Sequence, residues 1–407
     1  MSNDNFKDRL NRFRSSIAPS GKKKVQKAPP ERYQRLAAAM GGELIDRQAG
    51  SYVLIRRFYS HDYRHGSLRL RDAAGVTDIP VSAYTLLAEE GTLDLSSMLF
   101  LDTETTGLGG SGVVAFLIGC GSLRPDGLEV RQYLIPDYAD ECAMLEDLLE
   151  EFGQDMVAVS YNGAAFDLPI LKDRMIINRV ASGIEFGRHL DLLHATRRLF
   201  KRRLKDCTLG NIEQRLFDFK RVDDIPGYLV PSVYFDWLSE EQLDLMPGVL
   251  EHNRLDIVSL LFLAAHIARV GESCGEVLDQ VDDLHSLSRV YGRRKQKGLV
   301  QDIYERIDGI EPGRAADDIL LYHSMNFKRL KAADRAVAIW RQLAEGAGRE
   351  AYWANIELAK HYEHGEKDPA RARGFAVRAA EICPYGNSHR KQLTHRINRL
   401  TAVINRD

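Results

Sequence analysis

Apolar positions along the chain change their rhythm three times. Residues 31–95 carry short alternating runs such as "SYVLIRRFY" and "GSLRLRD" between turns, which predicts a β-containing preamble packed on the next domain. From residue 96 three β-rich runs, "SSMLFLDTE", "VVAFLIGCGSL" and "LEVRQYLIP", are separated by Gly-rich or Pro-Asp-Gly turns, as in an antiparallel meander. "DECAMLEDLLEEFG" then has helical periodicity with Gly153 as its stop. A strand in "MVAVSYN", a helix in "FDLPILKDRMIINRV", a short strand ending near "RHLDLL" and further helices to about Val270 come next. Three strands and then strand–helix alternation predict an α/β fold with a mixed sheet flanked by helices over residues 96–270.

Past the polar, Gly-containing stretch at 271–283, the period is helical almost throughout. "ADRAVAIWRQLAE", "YWANIELAKHYEHGEKD" and "PARARGFAVRAAEI" place Ala at helical spacing, and the helix pairs recur at about thirty-four residues, the tetratricopeptide period. An all-α repeat domain over 284–407 is expected, with an unrelated helical bundle as the alternative. At the other end, residues 1–30 hold eight Lys or Arg against two Asp and read as a basic disordered arm.

Composition narrows the function classes. A chain of 407 residues with 44% hydrophobic and 28% charged residues suits two soluble domains. The formal net charge of −2 provides no global attraction for polyanions, so nucleic-acid contact has to come from local basic clusters. Five cysteines without a CxxC pair argue against a zinc site or a disulfide framework and suit a reducing, cytoplasmic setting. No run is long enough to span a bilayer, so no membrane partner is expected.

The candidate chemistry begins where an apolar strand runs into two acids, Asp102 and Glu104. Residues i and i+2 of a strand share a face, so both carboxylates point the same way. At ~4 Å they would repel by ~4 kcal/mol at an effective dielectric of about 20, a term whose sign a divalent cation reverses. Asp167 follows Asn162 by five residues in "YNGAAFD", at the mouth of a helix, where a plain N-cap is the simpler reading. His252 and Asp256 stand at i and i+4 in "LEHNRLDIV", on one helix face.

Together, D-x-E on the first strand, N-x-x-x-F-D after the fourth strand, and a late helix with a base four residues before its Asp resemble the DEDD superfamily of 3′→5′ exonucleases, which have the ribonuclease-H-like fold. The resemblance covers 96–270. "HLDLLHATRRLF" and "DCTLGNIEQRL" look like the segments that join the second and third motifs, and the added repeat-like helices point to the bacterial YprB-like branch. The resemblance implies two ions, Mg2+ or Mn2+. Asp102, Glu104 and Asp256 would bind one, and Asp102 and Asp167 the other. It implies removal of nucleotides from the 3′ end of DNA or RNA, with a single-stranded 3′ end as the expected partner. An internal cut, as in other ribonuclease-H-like nucleases, is the second enzyme reading, and a non-catalytic nucleic-acid scaffold the third. The superfamily places Tyr four residues, or His five residues, before the last Asp. Here His252 combines the histidine chemistry with the tyrosine spacing, and it is assigned to orient or deprotonate the attacking water.

Asp191 is expected as a helix N-cap, and no role is assigned to His189 or His194. "TRRLFKRRLK" holds six basic residues in ten, among them Arg197, Arg198, Lys201, Arg202 and Arg203. These, with Asn162, are the candidate nucleic-acid contacts, against the alternative of a solvated cationic face. "RVYGRRKQK" at 289–297 is a second basic cluster, which extends that track or caps a helix. Tyr161 is expected in the strand core. "GLGGSG" after the acids has the wrong spacing for a nucleotide fingerprint and reads as a turn or as close backbone approach. The repeat helices are an expected docking surface for a protein partner.

Overall fold

A computed structural model describes residues 30–86, 89–107, 112–151, 156–180, 188–310 and 315–406. The basic arm up to residue 29, the centre of "GLGGSG" and the Gly153 helix stop lie outside the described residues.

The backbone is organised by one seven-stranded sheet. Its strands are β1 (Glu43–Arg47), β2 (Gly50–Ser60), β3 (Met98–Thr105), β4 (Ala115–Arg124), β5 (Gly127–Leu134), β6 (Val157–Ser160) and β7 (Arg188–Asp191). In space the order is β1-β2-β5-β4-β3-β6-β7. The pairs from β1 through β3 are antiparallel, and β6 and β7 join β3 in parallel, with Val159 opposite Phe100 and Ser160 opposite Asp191. The expected meander is therefore β3-β4-β5. The run "SYVLIRRFY" is not a separate layer, because β2 pairs with β5 along its length and β1 pairs with β2. The sheet thus crosses the sequence boundary expected at residue 96.

The alternation along β3 sorts the two faces. Met98 and Phe100 pack in one core with the long helix Met246–Glu272, whereas Leu99 and Leu101 face the opposite core, with Leu171, Met175 and Trp237. Asp102 and Glu104 continue the even parity and face the long helix. Around the sheet lie α1 (Glu31–Met40), α2 (Glu141–Glu151), α3 (Asp167–Ile177), α4 (Leu192–Leu204), α5 (Leu209–Leu216), α6 (Val230–Glu240) and that long helix, α7.

How closely α7 can approach the sheet is decided on β4. Gly119 pairs with Asp102, and Gly121 with Phe100. A Cβ at Gly119 would overlap Asn253 Oδ1, and one at Gly121 would overlap the Ile257 side chain. Two missing side chains therefore let one turn of α7 settle onto the strand beside the acids.

The rest of the chain is helical: α8 (Val281–Arg293), α9 (Lys297–Ile310), α10 (Asp317–Arg329), α11 (Ala333–Ala344), α12 (Arg349–His364), α13 (Pro369–Glu381) and α14 (Asn387–Ile404). Each packs against the next, and α8 also packs against α4. The apolar core on the α7 face of the sheet continues without a break through Leu284, Leu287, Trp340 and Leu358. No helix among the described residues is long and apolar enough to cross a membrane.

Candidate active site

The acids meet at the carboxyl end of β3, where the β3–β4 register shifts between Glu104 and Thr105. Such an irregularity turns the strand end out of the ladder. Asp102 is fixed from α7: Asn253 Nδ2 donates to its Oδ2 at 2.8 Å and to its backbone oxygen at 3.2 Å. Asn253 is fully buried, and its Oδ1 accepts from Gln132 Nε2 at 2.9 Å. Gln132, on β5, also donates to the Leu250 carbonyl at 2.8 Å, so the amide chain is anchored at both ends.

Asp167 arrives from the other face as the first residue of α3. Its Oδ1 accepts from the Thr103 amide at 3.1 Å and from Thr103 Oγ1 at 2.6 Å. The loop ahead of it is held by Asp191, which accepts from the amides of Asn162 at 2.8 Å and Ala164 at 3.2 Å. Asp191 also caps α4 through the Leu193 amide at 3.0 Å, so it acts as the N-cap and clamps the loop as well. Asn162 adopts a left-handed conformation in that loop (φ 69°). A Cβ on Gly163 would overlap Ser160 Oγ, so the turn needs that glycine.

The charges are unbalanced. Burial pushes the Asp102 carboxyl well above the usual carboxylate range, and Asp256, Glu104 and Asp167 push it further. Glu104 is raised in the same way, by burial and then by Asp256 and Asp167, with Arg221 opposing. Asp167 is raised by burial despite the Thr103 hydrogen bonds. Asp102 and Glu104 thus feel the charge of Asp256 and Asp167, which lie on other elements, in one shared electrostatic environment.

Arg221 is the cation that meets them. It lies in the irregular segment between α5 and α6, with its side chain only 8% exposed. It pairs with the fully buried Glu213 at 2.6 Å and also with Asp256. Burial alone would lower its pKa, yet the two carboxylates reverse that and raise it. Behind it Ser259 Oγ donates to Glu213 and shares a hydrogen bond of 2.9 Å with His65 Nε2. Burial and then Arg221 push His65 down to about 3, so it is neutral. His252 sits between two acids, with Nδ1 2.8 Å from Asp224 Oδ1 and Nε2 3.7 Å from Asp256 Oδ2.

Neither Arg221 nor Asp224 was among the residues the sequence pointed to, and both sit in a stretch without periodicity. Asn253 had a usable signal, since it stands three residues before Asp256 and shares its helix face.

Among the described residues, no three His, Cys, Asp or Glu side chains are drawn together tightly enough to enclose a metal ion. Three of the four acids are engaged by a protein donor: Asp102 by Asn253, Asp167 by Thr103 and Asp256 by Arg221. The donor set nevertheless fits a hard divalent cation. Its oxygens are carboxylates, and the raised Asp102 and Glu104 mark negative charge that Arg221 leaves uncompensated.

The basic run divides. Arg202 pairs with Asp282 at 2.5 Å and Asp318 at 2.6 Å, and Arg203 pairs with Asp283 at 2.7 Å, which ties α4 to α8 and α10. Arg198 donates to the Thr85 carbonyl at 2.9 Å. Arg203 is therefore a structural cation rather than a free phosphate contact, and Arg202 is largely so. Arg197 and Lys201 are exposed. Tyr161 lies against the apolar core, its hydroxyl donating to the Cys207 carbonyl.

Residues 99–268 match the family model of the RNase_H superfamily. Over 330 residues the chain is 33% identical to a protein of Bacillus subtilis (strain 168) described as "Uncharacterized protein YprB", covering 79% of this chain and 78% of that one. A family B DNA polymerase from the archaeon Pyrobaculum calidifontis aligns at a TM-score of 0.35 and 17% identity, over 66% of this chain and 36% of the polymerase. A superposition that loose carries no argument. The strand order, the match along β3 to α7 and the relative matched over more than three quarters of both chains agree: this chain belongs to the RNase_H superfamily, in the family of YprB.

Proposed function

We propose that the chain is a metal-dependent nuclease of the DEDD type that removes nucleotides from the 3′ end of DNA or RNA. What supports this reading is that Asp102 and Glu104 leave one strand end on the side of α7, that Thr103 between them holds Asp167, and that burial and the neighbouring acids, Asp256 among them, disfavour ionisation of Asp102 and Glu104 in the absence of a cation. Membership of the RNase_H superfamily adds weight, because nucleases of that group generally work with divalent ions.

The residues that would hold two such ions are Asp102, Glu104 and Asp256 for one, with Asp102 and Asp167 for the other. Bound there, the ions supply an activated water and stabilise the leaving 3′ oxygen of an in-line displacement. The chain's own groups have distinct tasks. Asn253 holds the Asp102 carboxylate in one orientation, and Thr103 does the same for Asp167. Asp224 orients the His252 ring through Nδ1, which leaves Nε2 on the Asp256 side as the atom that takes the proton of the attacking water. Arg221 pairs with Asp256 and is held beside it by Glu213, so Asp256 would hold a cation only when freed from that pair. The helical region, read as tetratricopeptide-like, would present a protein-docking surface.

The test is cleavage of end-labelled DNA and RNA oligonucleotides with Mg2+, Mn2+ or chelator. Asp102→Ala and Asp256→Ala are expected to abolish metal-dependent cleavage, and wild-type activity in either variant refutes the site. Mononucleotide products support trimming from the 3′ end, whereas fragments would replace it with internal cutting. His252→Ala is expected to lower turnover while leaving metal binding in place.

A further inference from the structure

The two basic clusters of the sequence, eighty residues apart and on different helices, come together. α4 and α8 enclose a cleft of about 330 Å³ lined by Arg197, Arg198, Arg202, Arg289 and Arg293, with Ser286 among them. Among the described residues, no Asp or Glu lines it. Arg202 is neutralised from the side by Asp282 and Asp318, and Arg198 is tethered to the Thr85 carbonyl. Among the described residues Arg197, Arg289 and Arg293 meet no carboxylate. All three are exposed. The buried His285 on α8 feels this charge: burial and then Arg202 push it down to about 4, with Arg289 adding to it and Asp318 and Asp282 opposing. A fold gains nothing from concentrating unpaired guanidinium groups, and the arrangement makes physical sense when an anion completes it.

The cleft has the shape of a strip. Arg198 and Arg202 stand one turn apart on α4, and Arg289 and Arg293 one turn apart on α8, so each pair is spaced by about 6 Å along its helix. One phosphate is satisfied by one or two bidentate guanidinium groups. The unpaired Arg289 and Arg293, a turn apart on α8, with Arg197 across the cleft on α4, suit successive phosphates better than a single ion. Position points the same way. α4 begins at Asp191, level with the end of β6 beside the acids, and runs away from them. Arg198 and Arg202 are seven and eleven residues along it, about 10 and 16 Å from the cap at a rise of about 1.5 Å per residue.

We propose that this cleft binds internal phosphodiester groups of a nucleic-acid strand, several nucleotides upstream of the end that occupies the acid pocket. The placement of the 3′ end rests on the nuclease reading, but the anion site does not. It assigns Arg289 and Arg293, on the first helix after the catalytic domain, to substrate binding, so the helical region itself contributes to the nucleic-acid surface.

Binding is measured by fluorescence anisotropy in chelator, using full-length Asp102→Ala protein and single-stranded oligonucleotides of increasing length. Arg289→Ala/Arg293→Ala in that background should weaken binding of long strands of any sequence. It should also lower the slope of log K against log salt by about 1.4, at about 0.7 for each lost phosphate contact. The ratio of parent to variant affinity then changes about sevenfold between about 50 and 200 mM salt. Arg289→Lys/Arg293→Lys, which keeps the charge, should retain the slope. An unchanged slope in the Ala variant overturns the proposal. So does a loss of the same size for a di- or trinucleotide, because the cleft would then act at the strand end. Inorganic phosphate that displaces long strands at the same concentration as it saturates the protein would make this a small-anion site, and a gain seen only with 5′-phosphorylated strands would make it a terminal-phosphate site. Either result overturns the proposal. Cleavage by the Arg289→Ala/Arg293→Ala protein with Asp102 intact separates the two readings. Activity on short substrates with no salt-slope effect retains the nuclease and discards the cleft, while a salt-slope effect, with no cleavage by the wild-type protein either, retains the cleft and discards the nuclease.

Discussion

Asp102→Asn tests whether the acids are held together against their own repulsion. The substitution keeps the shape and retains an oxygen to accept from Asn253 Nδ2, so it removes charge and little else. Asp102 and Glu104 are two residues apart on β3, about 6.6 Å at a rise of about 3.3 Å per residue. At an effective dielectric of about 20, a pair of charges at that spacing repels by about 2.5 kcal/mol. Asp256 and Asp167 add repulsion, and partial protonation of the wild-type carboxyl subtracts from it. The metal-free variant should therefore be about 1–3 kcal/mol more stable than wild type at neutral to mildly alkaline pH. The pH dependence has a definite sign. Because the folded pKa of Asp102 lies above its unfolded value, the folded state holds the proton more tightly. That contribution is complete below about pH 4 and is lost as pH rises through the folded pKa. The advantage of Asp102→Asn should accordingly be small near pH 4 and grow towards pH 8. Urea unfolding in chelator, followed by circular dichroism across that range, measures it. Addition of Mn2+ should narrow the gap by stabilising wild type alone, by about 2.7 kcal/mol at a hundredfold excess over the dissociation constant. A variant less stable than wild type at pH 8 in chelator, or a gap that does not depend on pH, would refute the reasoning.

Two further substitutions probe the framework around the acids. Arg221→Gln strands the buried Glu213 without its cation and should cost about 3–5 kcal/mol in urea unfolding, with most of that recovered in Glu213→Gln/Arg221→Gln; a loss under about 1 kcal/mol would mean that the pair is not formed. Gly119→Ala forces a methyl group against Asn253 Oδ1 and should destabilise by about 1–3 kcal/mol while weakening Mn2+ binding, whereas Gly210→Ala on α5, where a Cβ meets nothing within 4 Å, should be neutral or slightly stabilising by the same assays.

Sequence and structure part company where function depends on partners rather than on period. Asp102, Glu104, Asp167 and Asp256 all lie in or at the start of regular elements, so strand parity and helix phase place them before any coordinates are seen. The alternation in "SYVLIRRFY" announces a strand, but not that it will extend the sheet beyond β5, because pairing is decided by residues eighty positions away. Arg202 and Arg203 look like free cations in "TRRLFKRRLK", since their neutralising partners Asp282, Asp283 and Asp318 belong to later helices. Arg221 is hidden for a different reason. The segment between Leu216 and Gly227 has no regular structure, and Asp218 and Asp223 adopt left-handed turns there, so no periodicity marks the position of its guanidinium.

The apolar interior that begins under Phe100 and ends beside Leu400 passes through α7, α4 and α8 as one continuous cluster, with the ion pairs of Arg202 and Arg203 along its α4–α8 edge. The sheet domain and the helical array therefore share one apolar core rather than meeting at a separable surface. Cutting the polypeptide near residue 275 would leave Leu199, Phe200 and the end of α7 facing water, a truncation expected to aggregate rather than fold. The intact chain should melt in one cooperative step.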